Sequence, residues 1–291
     1  MEEFYNKNYK KFMLIPLVLF LAAIFIIFSH YQNTGDIVSK DVSLKGGLSI
    51  EIFTGKQVDE NLVKEELKNR FPGGDFFATK LVEFNTNEQN GIVIESSDVQ
   101  EEELKKAIEN IIKIELKDGE NYFVKETSST LGKSFYRQML FTIALAFILM
   151  GITVSIVYRK LIPSAAIIMA PMLNMVTTIA VVDLLGFRVS TASISALLLM
   201  LGYSIDTDVL LTTKVLKRKE GRVFERIKSS FITGITITLT TLTASIFAIL
   251  ITNSIIIREM FIILVIGLIT DLISTYIMNA GILRWYLKNE D

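Results

Sequence analysis

Apolar residues gather into six runs along this chain, at about 12–28, 139–158, 161–182, 189–213, 230–251 and 260–283. Each is long enough to cross a bilayer as a helix, which takes roughly 17–25 residues. Between the first two runs the pattern changes. "LSIEIFT" (48–54) alternates as a strand, and "VDENLVKEELKNRF" (58–71) sets Leu62, Glu66 and their neighbours at helical spacing, with Asp59 near its start and "PGG" (72–74) ending it. "FFATKLVEF" (76–84) and "GIVIESS" (91–97) read as a hairpin across "NTNEQN". A second amphipathic helix over 98–116 carries Leu104, Ile108, Ile111 and Ile112 on one face, and "NYFVKET" (121–127) is a last strand. The order βαββαβ predicts a ferredoxin-like sandwich, a four-stranded antiparallel sheet with two helices on one face.

The fold class expected is therefore an α-helical polytopic membrane protein with six transmembrane helices and one βαββαβ external domain between the first and second. Its parts are an N-terminus and first helix (1–28), the external domain (29–138), helices two to six (139–283) and a tail (284–291). Lys7, Lys10 and Lys11 before the first run resemble the start of a signal peptide. Phe28 is followed by "SHYQN", which has no small-x-small cleavage site, so the run reads as a retained anchor rather than a cleaved signal.

Orientation follows from Lys and Arg. Arg159 and Lys160 follow run two; Lys214, Lys217, Arg218, Lys219, Arg222, Arg226 and Lys228 separate runs four and five; Arg284 and Lys288 follow run six. The opposite short loops carry only Arg188 and Arg258. Both termini are expected in the cytoplasm and 29–138 outside, in a cell membrane. A cysteine at Asn87 is then labelled from outside and one at Gly221 only from inside.

Composition narrows the function. Half the chain is hydrophobic (51%) and mean hydropathy is +0.45, too apolar for a soluble domain of this size. Lys and Arg (30) nearly cancel Asp and Glu (31), which gives no reason to expect a nucleic-acid partner. With no cysteine and one histidine, His30, thiolate chemistry and Cys- or His-based metal sites are excluded, and no cofactor is expected. The acids of 98–109 are spaced continuously rather than as ligands and read as a solvated helix face. No catalytic constellation stands in the external domain, which reads as a binding or lever module and not an enzyme.

Chemistry concentrates inside the apolar runs. "MLGYSIDTDVLL" (200–211) places Asp206 and Asp208 in run four, and Asp271 lies mid-way along run six. Ionisable groups at membrane depth face a bundle interior or a water cavity and are candidates for function. Asp206 and Asp208 stand about 200° apart around a helix. Asp206 is eight residues before Lys214, roughly 12 Å inside the basic turn, and shares a face with Gly202. It is expected to be the buried one, with Asp208 reaching headgroup water. Gly267, Ser274, Thr275, Met278 and Asn279 surround Asp271; run five offers Gly234, Thr238, Thr241 and Ser245; run three offers Pro171, Asn174 and Thr178. Three polar stripes meeting run four would form a hydrated seam in which carboxyls load and release ions. The alternative is that Ser and Thr serve as interhelical glue around neutral, hydrogen-bonded acids.

Several stretches resemble one family. An anchor helix, an external domain and five more helices form half of the resistance-nodulation-division transporter plan. "DVSLKGGLSIEI" (41–52), with Asp41 and the Gly46–Gly47 pair entering a strand, resembles the SecF subunits of SecDF protein-export complexes. So do "LGKSFYRQ" (131–138), "VYRKLIPSAAIIMAPMLNMV" (157–176) and "TLTTLTA" (238–244). "ISALLLMLGYSIDTDVLLTTKVLKRKEG" (194–221) is the specific segment, with Gly202-Tyr203-Ser204 followed by acids and a basic turn. Bacterial members usually carry Asp where this chain has Asn174, and their fourth-helix Asp falls, without a gap, on Thr207. Asp271 replaces a sixth-helix Gly, and no Arg stands in the fifth helix. These departures resemble the archaeal branch, and the bacterial proton-relay positions map onto this chain only in part.

The resemblance implies an auxiliary subunit of the Sec translocation channel, paired with a SecD-like homologous subunit in the lipid bilayer. It would use an ion gradient, of protons, to help draw exported polypeptide chains outward. Asp206, Asp271, Asp208 and Asn174 are the ion-coupling candidates; Asp41, Gly46, Gly47, Gly202, Tyr203 and Ser204 form the structural motif. Two other readings stand beside it. One is a small-molecule or lipid efflux half-transporter of the same superfamily, though such pumps usually carry both halves and larger external domains. The other is a passive scaffold for the channel.

Overall fold

A basic first helix, α1 (Glu2–Phe12), leads into α2 (Leu14–Thr34), whose side chains are almost wholly apolar to Phe28. The computed structural model describes residues 2–83, 88–218, 221–252 and 254–288. Asn87, Lys219 and much of the turn expected over 85–90 lie outside those residues. The first helix continues through His30 to Thr34 and stops at Gly35, whose left-handed backbone (φ 77°) lets its N–H reach the Tyr31 carbonyl.

After the short helix α3 (Val42–Lys45) comes the small domain, in the order β1 (Gly47–Phe53), α4 (Glu60–Arg70), β2 (Phe76–Val82), β3 (Gln89–Ser96), α5 (Glu101–Ile112) and β4 (Tyr122–Thr127). The strands form one antiparallel sheet ordered β2-β3-β1-β4. Alternation along β1 decides which face is covered. Leu48, Ile50 and Ile52 pack with Ile92, Ile94, Val63, Leu67, Leu104, Ala107, Ile108 and Tyr122, while Glu51 and Phe53 are exposed on the other side. In α4 the core-facing residues are Val63 and Leu67, while Leu62 and Glu66, at the helical spacing read from the sequence, are exposed; Asp59 caps the helix, accepting from the Asn61 N–H.

Six helices among the described residues are long and apolar enough to cross a membrane. They are α1 with α2, then α6 (Ser129–Tyr158), α7 (Leu161–Leu184), α8 (Thr191–Lys217) and α9 (Val223–Ile251), and last a continuous run of α10 (Ile255–Ile273), a π-helical turn (Ser274–Asn279) and α11 (Ala280–Tyr286). Helices α7, α8 and α10 are the most buried. Helices α2, α6 and α9 present Leu, Ile and Phe outward, as helices in hydrocarbon do.

The joint between domain and bundle is made of glycines. Gly46 (φ 91°) lies against the backbone of Ser129 at the start of α6, and Gly47 (φ 132°) against the Ser96 carbonyl, so neither has room for a Cβ. Asp41 caps α3, accepting from the Ser43 N–H at 3.0 Å and its hydroxyl at 2.7 Å. A backbone pair, Asp41 N–H to Val189 O at 3.1 Å and Val189 N–H to Ser39 O at 2.7 Å, ties this linker to the α7–α8 loop.

Candidate carboxylate seam between three helices

Helix α8 turns one stripe inward: Ser193, Leu197, Met200, Ser204, Thr207, Asp208, Leu211, Thr212 and Val215 are all buried. Helix α7 faces it with Asn174 and Thr178, and α10 with Thr270 and Asp271. The polar residues meet at one depth.

Asp271 is the hub. Its Oδ1 accepts from Asn174 Nδ2 at 3.3 Å, from Thr275 Oγ1 at 3.4 Å and from the Ser204 hydroxyl, and its Oδ2 accepts from Thr207 Oγ1 at 2.9 Å. Asn174 is held in turn by the hydroxyls of Thr270 and Thr178, and those two hydroxyls lie 3.1 Å apart. Asp208 sits on the other side of Thr275, takes Asn279 Nδ2 on Oδ1 at 2.7 Å, and has no hydrogen-bond partner on Oδ2 among the described residues. No basic side chain touches either acid in these bonds. The π-helical turn carries Thr275 and Asn279, one group for each carboxyl; turns of this kind recur at functional sites.

The structure reverses one expectation. Asp208, not Asp206, is the fully buried acid, whereas Asp206 is exposed on the opposite face of α8. Depth from the basic turn gave the wrong answer because rotation decides the matter: Asp208 lies one turn from Ser204 and from Thr212, on the stripe that faces α7 and α10. Gly202, expected to admit a close neighbour, has open space beside it within this chain. Asp206 and Asp271 do share one feature. With Tyr203, Thr207, Thr238 and Thr241 they line a cavity of about 480 Å³ between α8, α9 and α10. Of the run-five stripe, Thr238 and Thr241 reach this cavity, while Gly234 lies under the Tyr276 ring.

Three contributors escaped the sequence reading. Thr207 was marked only by its gapless alignment with the bacterial Asp, Thr270 by nothing beyond its neighbour Asp271. The pair of His30 Nδ1 and Asp183 Oδ1, 3.0 Å apart, joins α2 to α7 at the domain end and carries no motif.

Comparison with known proteins places the chain in a family. A model of the protein export membrane protein SecD/SecF C-terminal region matches residues 106–289. The chain belongs to the SecD/SecF family of protein-export membrane proteins. Among its SecF relatives, that of Thermococcus gammatolerans is 32% identical over 96% of this chain and 86% of its own. That of Methanocaldococcus jannaschii is 30% identical over 97% and 96%. Both are described as protein-export membrane protein SecF. The crystal structure of SecDF, a translocon-associated membrane protein from Thermus thermophilus, shares the fold at a TM-score of 0.76 with 18% identity. This SecF-family chain covers 97% of itself in that match but only 38% of the SecDF chain.

Proposed function

We propose that this chain is an auxiliary subunit of the protein-export machinery, paired with a homologous SecD-like subunit, in which Asp271 and Asp208 couple ion movement to work on exported chains. The carrying observation is the carboxylate seam: two acids buried at membrane depth, linked through Thr275, with hydroxyls and amides but no cation in their bonds. Such sites in transporters of repeated plan lie where two halves meet. The cavity lined by Asp206 and Asp271 is where a second half would close over Asp206. Asn174 orients Asp271, and Asp206 guards the access to it. The domain is the ferredoxin-like module, standing outside with both termini in the cytoplasm; exported polypeptides, the Sec channel and lipid are the remaining partners.

Asn keeps the volume of Asp and one acceptor oxygen, places an NH2 where the other oxygen stood, and cannot ionise. Asp271→Asn and Asp208→Asn are expected to leave membrane insertion and partner binding intact and to abolish the part of export that an uncoupler removes in the parent. Asp206→Asn should reduce it less. Normal export by both buried-acid variants, over a range of external pH, would leave only the scaffold reading. One observation does favour a scaffold: Asp271 is already satisfied by four donors.

Orientation has its own test. Single cysteines at Asn87 and Glu65 should react with an impermeant maleimide from outside intact cells, and one at Gly221 only after the membrane is opened. The opposite pattern would invert the assignment.

A further inference from the structure

The loop between α7 and α8 places a single arginine under the exposed face of the sheet. Arg188 is largely buried, donates from Nη2 to Asp75 Oδ1 at 2.7 Å, and lays its guanidinium over the Phe77 ring at 4.8 Å. Phe77 belongs to the start of β2 and Asp75 immediately precedes it, and Glu95 of β3 comes within 3.9 Å of Nη1, too far for a hydrogen bond. Among the described residues, the other hydrogen bonds given between domain and bundle run through covalently adjacent linkers, Ser43 and Asp41 beside α3. Arg188 is a bundle side chain that bonds the sheet domain outside those linkers.

We propose that Arg188 is a latch holding the sheet domain on the bundle, and that the carboxyl cluster around it makes the latch responsive to pH. The geometry already has the elements of such a device. Beside the latch, a cavity of about 270 Å³ lies between the sheet and the helix ends. Asp41 from the linker, Glu51 from β1, Glu95 from β3 and Glu259 from α10 line it, and Lys125 of β4 is its one lining cation. Asp75 stands at the edge, shared between Arg188 and Lys45, the latter at 3.1 Å. The guanidinium thus bonds Asp75 while Glu95 stands at 3.9 Å, beyond hydrogen-bond reach, and Glu95 Oε2 has no hydrogen-bond donor among the described residues.

Protonation settles the competition. Burial pushes Glu95 from 4.5 up to about 8, with Asp41 adding to the rise, Arg188 opposing it, and Glu259 and Asp75 adding further. Burial also raises Asp41. Asp75 is desolvated too, but Arg188 and Lys45 outweigh that and hold it below the usual carboxylate range. A released domain would return Glu95 to water and to its ordinary value. The docked state therefore binds the proton more tightly, so docking is strongest on the acid side and weakens as pH rises from 4.5 toward 8. Asp75 has the opposite sign: its contribution is present above its ordinary value of 3.8 and is lost when pH falls below it. Docking is firmest in mild acid.

This inference rests on the junction alone and is independent of the coupling role of the buried acids. The chain contains no cysteine, so a spin-label pair at Glu65→Cys on α4 and Leu184→Cys at the end of α7 reports the domain position without background. In the full chain in lipid nanodiscs, a single short distance is expected at about pH 6, with a longer population rising at least roughly threefold by about pH 9. Glu95→Gln should hold the short distance at both, and Arg188→Gln should show the long population already at about pH 6. Arg188→Lys, which keeps charge but loses the fork and the stacking, should fall between. A distance distribution unmoved by pH and by Arg188→Gln overturns the latch, and an unchanged pH response in Glu95→Gln overturns its pH dependence. Should Arg188→Gln fail to insert, the parent and Glu95→Gln profiles decide alone.

Discussion

Asp271→Leu is expected to lower the melting temperature of the purified protein in detergent, where Asp271→Asn leaves it nearly unchanged. Leucine fills the space but strands donors on two helices, Asn174 on α7 and Ser204 on α8, while Thr275 keeps Asp208 as a partner. Thr207 escapes, because its hydroxyl also reaches the Ser204 carbonyl at 2.9 Å. Two scales bound the loss. Stranding a buried donor costs about 1–3 kcal/mol. Hydrogen bonds measured between membrane helices average only about 0.6 kcal/mol, because the unfolded helices also find partners in the bilayer. Two lost donors at the lower figure give about 1 kcal/mol, and that is the effect to expect. Equal melting for Leu and parent would mean that the seam is wet and water replaces the carboxylate at no cost. The Asn variant separates structure from function: stability kept and uncoupler-sensitive export lost is the signature of an ionising role.

The sheet domain was legible in the sequence because each element carries contrast. Leu48, Ile50 and Ile52 alternate with Ser49, Glu51 and Phe53, and Leu104 and Ile108 sit among charges. The six crossings were legible from length and apolarity alone. The rotation of α8 was not. Its apolar residues lie on every side, buried Leu197 and Leu211 and exposed Leu199 among them, so hydrophobicity gives no phase. The readable signal lay elsewhere, in small and polar residues at intervals of three and four. Ser193, Ser204, Thr207, Asp208 and Thr212 share the inner stripe, while Leu199, Gly202 and Asp206 share the outer one. The Arg188–Asp75 contact spans 113 positions and rests on a loop with no motif, so nothing local could have announced it.

Gly234→Ala is the substitution expected to disturb the seam without touching it. Gly234 faces the hydroxyl of Tyr276 so closely that an added Cβ would land on that oxygen. Tyr276 cannot simply turn away. Its ring packs edge-on against Phe231 at 5.1 Å, and its hydroxyl donates to the Ser230 carbonyl at 3.4 Å. Making room requires either that α9 step back or that Tyr276 move. Overpacking of this kind costs about 1–3 kcal/mol. The functional effect should exceed the stability effect, because Tyr276 sits in the π-helical turn between Thr275 and Asn279, the residues that hold Asp271 and Asp208. Shifting that turn misplaces both carboxyl partners together. Removing the obstructing oxygen tests the route. Tyr276→Phe alone gives up one long hydrogen bond and should be mild; added to Gly234→Ala, it should restore part of both melting temperature and export, with the ring carbon still crowded. Additive losses in the double variant would mean that α9 retreats as a body, and that the turn bearing Thr275 and Asn279 is held by α7 and α8 instead.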